Sequence, residues 1–125
     1  MDVEKVVQAF LVFHYADRGK ALLSMVFSLV DPFLEEPREE KRALPSSILS
    51  AARSELAIAS NVVSSKAPWA QAYFADALEE FSNAQQSFEE GLAESFRSSF
   101  STAISHLTTG AAKALTMLRE EGVSL

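Results

Sequence analysis

This sequence predicts an all-α protein, an antiparallel four-helix bundle, on three observations. Apolar residues return every three or four positions through nearly the whole chain, which is the spacing of a helix face and not the alternation of a strand. Glycine and proline are scarce, at four each, and three of the prolines (Pro32, Pro37, Pro45) fall within one charged stretch, Asp31 to Pro45. The other links are short, which favours antiparallel neighbours. A chain of 125 residues is one domain, large enough to remove roughly two thirds of its unfolded surface from water.

The first helix is expected from Val3 to Val30, with Asp2 as its N-cap and Asp31-Pro32 as its stop. If it breaks near Gly19, or if residues 31–45 add a short helix, the count becomes five. Otherwise residues 31–45 are a Pro-rich, charged connector. The second helix begins at Ser46 or Ser47, capped by a hydroxyl, and ends at Val63 before Ser64-Ser65. Pro68 suits the first turn of a third helix, and Gly91 suits its left-handed C-cap. The fourth runs from Leu92 or Ser95 to Glu121, with Gly122 after it.

At 100° per residue, Leu92, Phe96, Phe100, Ala103, Leu107, Ala111, Ala114 and Leu118 share the core face of the fourth helix. Ser98, Ser101, Thr102 and Ser105 line the opposite side. An uncharged Ser/Thr stripe lets another backbone come close, so this side is either a solvated face or a partner surface. The first helix is apolar almost all the way round, and one bundle core cannot cover every side of it. Either it lies centrally, wrapped by the other three, or it carries an interface at Phe10, Phe13 and Phe27.

Two polar spots interrupt apolar lines. His14 shares a side with Val7, Phe10, Ala21 and Met25, with Asp17 and Arg18 about one turn on, and Glu55 shares a line with Ile48, Ala52, Ala59 and Val62. A carboxylate aimed at a core needs a partner, and His14 or Arg18 are the residues whose spacing offers one. His14, Asp17, Arg18 and Glu55 are therefore the candidate binding set, with helix register as their plainer role. Asp76, Glu79 and Glu80 share a face of the third helix, but neither His has a Glu three residues before it, so the Glu-x-x-His chemistry of di-metal bundles is missing. There is no G-x-S-x-G elbow and no Gly-rich phosphate loop. No catalytic residue, metal or cofactor is assigned.

The net charge of −6 argues against nucleic acid and against an anionic membrane surface. The longest apolar stretch, Ala21 to Val30, is interrupted by two Ser and is about half of what a bilayer needs. With no Cys, and with Asp2 and Glu4 where a secretory signal would be basic, the expected compartment is the cytoplasm.

From Asp76 onward the chain resembles the last two helices of the HEPN family of small bundles, which includes prokaryotic nucleotidyltransferase partners and ribonuclease toxins. The resemblance rests on Ala77-Leu78, Ala84, Glu90-Gly91-Leu92, Ala103, Ala111, Ala114-Leu115 and Glu121-Gly122-Val123, and it covers under half the chain. The family's ribonucleases place a His about four to six residues after an Arg, a cation and an acid/base at the scissile phosphate. Here Arg97 and His106 are separated by eight residues. On a helix that sets them ~13 Å apart along the axis and on different sides. What the resemblance implies is a bundle that binds a partner without the ribonuclease motif.

The expected function is a non-enzymatic interaction protein that forms a homo-oligomer or docks a protein partner. An RNA- or nucleotide-acting enzyme of the HEPN kind, with Arg97, His106 and His14 as its candidates, is the alternative. A bundle holding a small apolar ligand between helices is the third reading.

Overall fold

The structure is a computed structural model that describes residues 1–124. It is all helical: α1 (Val3–Val30), a single 3-10 turn (Asp31–Phe33), α2 (Glu39–Lys66), a second 3-10 turn (Pro68–Ala70), α3 (Gln71–Glu89) and α4 (Ala93–Glu120). Asp2 caps α1, its side chain accepting from the Lys5 amide at 3.1 Å. The helix passes through Gly19 without a break and stops where Pro32, lacking an N–H, cannot extend the ladder.

The connector between α1 and α2 is shorter than the sequence suggests. Residues 39–45 are helical, and Pro45 lies inside α2 instead of ahead of it. Pro45 cannot donate to the Lys41 carbonyl, a fault that ordinarily breaks a helix. The first turns of α2 are held from outside. The Arg42 guanidinium donates to the Phe88 carbonyl at the end of α3 and lies 4.7 Å over the Phe88 ring, and Ser46 Oγ donates to Glu89 at 2.6 Å instead of capping its own helix. Glu39 and Glu40 in the first turn also suit the positive end of the helix dipole.

The last two helices end as expected from their glycines. Gly91 has φ +71° and Gly122 φ +82°; the Leu92 amide donates to Ser87 O and the Val123 amide to Leu118 O, both at 2.9 Å. Each is a left-handed cap that satisfies carbonyls a helix end would otherwise leave open.

The four helices form a square in which α1 packs on α2 and α4, and α3 packs on α2 and α4. Side-chain ties give the directions. Lys5 at the start of α1 meets Glu121 past the end of α4 at 3.8 Å, while Asp31 at the end of α1 meets Arg97 near the start of α4 at 2.8 Å. Along α2 and α3, Ser50 meets Gln85 and Arg53 meets Ser82 in the same reversed order. The bundle is thus antiparallel throughout.

Its core combines a run of contacting aromatic rings with buried Leu, Val and Ala, and with Phe74 apart from that run. Phe27, Phe81, Phe88, Phe96 and Phe100 form a chain of ring contacts with centroids 5.3–6.0 Å apart. On the predicted core face of α4 every residue from Phe96 to Leu118 is buried, and only Leu92, at the turn, stays outside. Alanine and glycine let the helices approach: a Cβ on Gly110 would stand 3.2 Å from Tyr73 Cβ.

Candidate functional site

α1 is not wrapped by the other helices; it occupies a corner of the square. It buries Ala9, Val12, Ala16, Leu23, Val26 and Val30, a face made mostly of small residues. The opposite side carries a second apolar row. Val3, Val7, Phe10, Met25 and Leu29 are between 44% and 68% exposed, large side chains with no cover from the bundle. They recur at helical spacing from residue 3 to residue 29, about 39 Å along the axis. His14, Asp17 and Arg18 interrupt the row at its middle, all three exposed.

This arrangement corrects several expectations. Of the three interface phenylalanines, only Phe10 lies on the open row. Phe13 is half-buried against the core, and Phe27 is part of the core, its ring stacked on Phe96 at 6.0 Å and edge-on to Phe100 at 5.4 Å. His14 does not point to the core; it stands in solvent with its ring edge-on to Tyr15 at 5.4 Å. Glu55 is exposed as well, because the buried line of α2 is Leu49, Ala52, Leu56, Ala59 and Val63, about one residue round from the line that included Glu55. The structure does bring Arg18 and Glu55 to the same shallow groove between α1 and α2, of about 180 Å³, with Leu22 and Ile58 along its walls. Among the described residues no ion pair joins Glu55 to Arg18 or to His14.

The Ser/Thr side of α4 is open: Ser98, Ser101 and Ser105 are exposed and Thr102 is half-buried. Its hydroxyls are partly spent on their own helix. Thr102 donates to Ser98 O at 3.0 Å and Thr109 to Ser105 O at 3.0 Å, which leaves the hydroxyls of Ser98, Ser101 and Ser105 facing solvent. Arg97 is engaged with Asp31, whose hydrogen bond and charge raise the guanidinium pKa further, and His106 is half-buried further along α4.

An open cleft of about 380 Å³ lies at one end of the bundle, between Lys5, Gln8, Trp69, Lys113 and Met117. Trp69 Nε1 donates to Gln8 Oε1 at 3.1 Å across it, which ties the start of α1 to the α2–α3 link. Asp2 and Glu4 line it beside the two lysines, so the cleft is mixed in charge, and it is open to solvent.

No protein family, curated protein or solved structure matches this chain. What bears on its function is its own geometry, and there the outer row of α1 stands out. Among the described residues no helix is long and apolar enough to cross a membrane, so the row is not the side of a span. Sequence reasoning found the surplus apolar character of α1 but missed its continuation on α2. Ile58, 56% exposed, borders the same groove as Leu22, and Leu44, 65% exposed, lies on the same side of α2. The available signal was the recurrence of Leu44, Ala51 and Ile58 every seven residues, on a side that the core does not use.

Proposed function

We propose that this chain is a helical-bundle interaction protein, which self-associates or docks a protein partner through the outer face of α1. One observation carries the reading: five large apolar side chains exposed in a row along the full length of a helix that already has a separate buried face. Scattered exposed apolar residues are ordinary on a protein surface, but two clusters aligned on one helix face, at either end of a short polar centre, mark a contact face. A polypeptide suits it better than a lipid surface. An interfacial membrane helix carries an excess of Lys and Arg on its polar face, whereas α1 sets Glu4 and Asp17, with Asp2 and Asp31 at its ends, against Lys5, Arg18 and Lys20, and the chain has a net charge of −6.

The test is the native mass of the protein in an extract of the cells that make it. Wild type should migrate well above its 13.6 kDa chain mass, and a Val7→Lys/Met25→Lys double variant should migrate at it. Wild type running as a lone chain both in its own extract and, when purified, across a wide concentration range contradicts the proposal. Both substitutions fall at exposed positions, so folding is retained and the change in mass reports the surface.

A further inference from the structure

We infer that the occupant of the α1 face is a second copy of this chain, lying antiparallel, with the two-fold axis passing at the level of Ala16. The inference rests on the interaction reading above and names its partner. Its ground is a symmetry in the exposed row. Counting from either end toward residue 16, Val3 corresponds to Leu29, Val7 to Met25, Phe10 to Leu22, and His14 to Arg18.

Laid against a reversed copy of itself, the row therefore sets exposed apolar side chains against one another toward both ends. Val7 meets Met25, and both positions point along the same direction from the helix axis, since 18 residues complete five turns. Phe10 is level with Leu22, which is half-buried along the groove toward α2, so the Phe10 ring falls at the edge of that groove on the other copy. The polar centre meets itself, with Arg18 beside the His14 of the other copy and Asp17 of both copies close by.

The parallel alternative is worse on two counts. It sets Arg18 directly against Arg18, a like-charge contact at an interface, and it aligns the two helix dipoles head to head along ~40 Å. The antiparallel arrangement staggers the guanidinium groups and opposes the dipoles. The row is about 39 Å long and one helix face, ~10 Å, wide, so each copy contributes roughly 400 Å². That lies below the size of an obligate interface, and the pair accordingly dissociates on dilution.

The chain has no cysteine, so single thiols report the orientation cleanly. Purified Val7→Cys and Met25→Cys proteins are oxidised separately and as a mixture. In the antiparallel pair, Val7 of one copy is level with Met25 of the other, while two Val7 positions lie ~27 Å apart, beyond any disulfide. The mixture should give a disulfide-linked dimer of one chain of each kind, and neither protein alone should.

Linkage of Val7→Cys to itself, without the mixed product, overturns the antiparallel pairing while the interaction reading stands. No linkage in any combination, with the pure protein at its chain mass at every concentration, overturns the second copy as partner. The native mass in the cell extract then decides the coarser reading by itself: a complex there keeps it, and a lone chain removes both.

Discussion

Gly110 of α4 lies against Tyr73 of α3 so closely that a Cβ at that position would stand 3.2 Å from Tyr73 Cβ and 3.3 Å from Cγ. Both of those atoms are fixed by the α3 backbone or next to it, so no rotamer change makes room. At Gly19 the added methyl would meet Leu107 Cδ1 at 3.0 Å, the far end of a side chain that can turn. The two glycines therefore respond differently to the same substitution. Both substitutions gain about 1 kcal/mol of helix propensity; Gly110→Ala should still lower stability, because parting the helices costs about 1–3 kcal/mol, while Gly19→Ala should stay near or above wild type, since Leu107 can turn aside. Urea denaturation of the two variants checks the order; equal losses would show that α3 and α4 are not in this close contact.

Phe10 and Phe27 look alike in sequence and differ in place. Phe27→Ala should cost about 3–5 kcal/mol, because it empties the ring cluster with Phe96 and Phe100. Phe10→Ser should leave the denaturation midpoint nearly unchanged and weaken association instead. A stability loss at Phe10 equal to that at Phe27 would put Phe10 in the core.

Pro45 interrupts the hydrogen-bond ladder of α2 while Arg42 and Ser46 hold the turns on either side of it. Replacing it with Ala restores one backbone donor and removes a penalty of about 3 kcal/mol, less the packing that the buried ring supplies. A rise in melting temperature, with slower amide exchange over residues 39–45, is the expected result. Arg42→Ala should do the opposite, loosening those turns and leaving the rest of the bundle folded.

Arg38 Nε lies 2.6 Å from Glu36 Oε1, and this hydrogen bond holds the Glu36 carboxyl below the usual glutamate range. Because the folded pKa is depressed, the contribution to stability is present above the unfolded value and fades as pH falls through the lower folded one. Carboxyl chemical shifts followed by NMR should give Glu36 a lower midpoint than an unpaired exposed glutamate, and Arg38→Ala should return it to the ordinary range.

Much of the bundle is legible in the sequence because its stops are chemical. Asp2, Pro32, Gly91 and Gly122 act where they stand, through a cap, a missing donor and two left-handed turns. The start of α2 is hidden for the converse reason. Pro45 reads locally as a break, and what overrides it is a contact from Arg42 to Phe88, forty-six residues away in sequence. The α1 face is hidden in a different way. On a helix apolar all round, size does not mark the core: Ala9, Val12, Ala16, Leu23, Val26 and Val30 are buried, while Val7, Phe10 and Met25, as large or larger, stand outside. His14 shares the row with those large residues, so it was expected inside with them and is exposed with them.

The central claim is that copies of this chain associate through the outer face of α1, and the mass of the purified protein in solution tests it most directly. Light scattering across a wide concentration range should show wild type rising from its 13.6 kDa chain mass toward twice that value, while Val7→Lys/Met25→Lys remains at the chain mass throughout. A wild-type protein that keeps the chain mass at every concentration contradicts self-association through α1, and a double variant that dimerises as wild type does contradicts the assignment of the face.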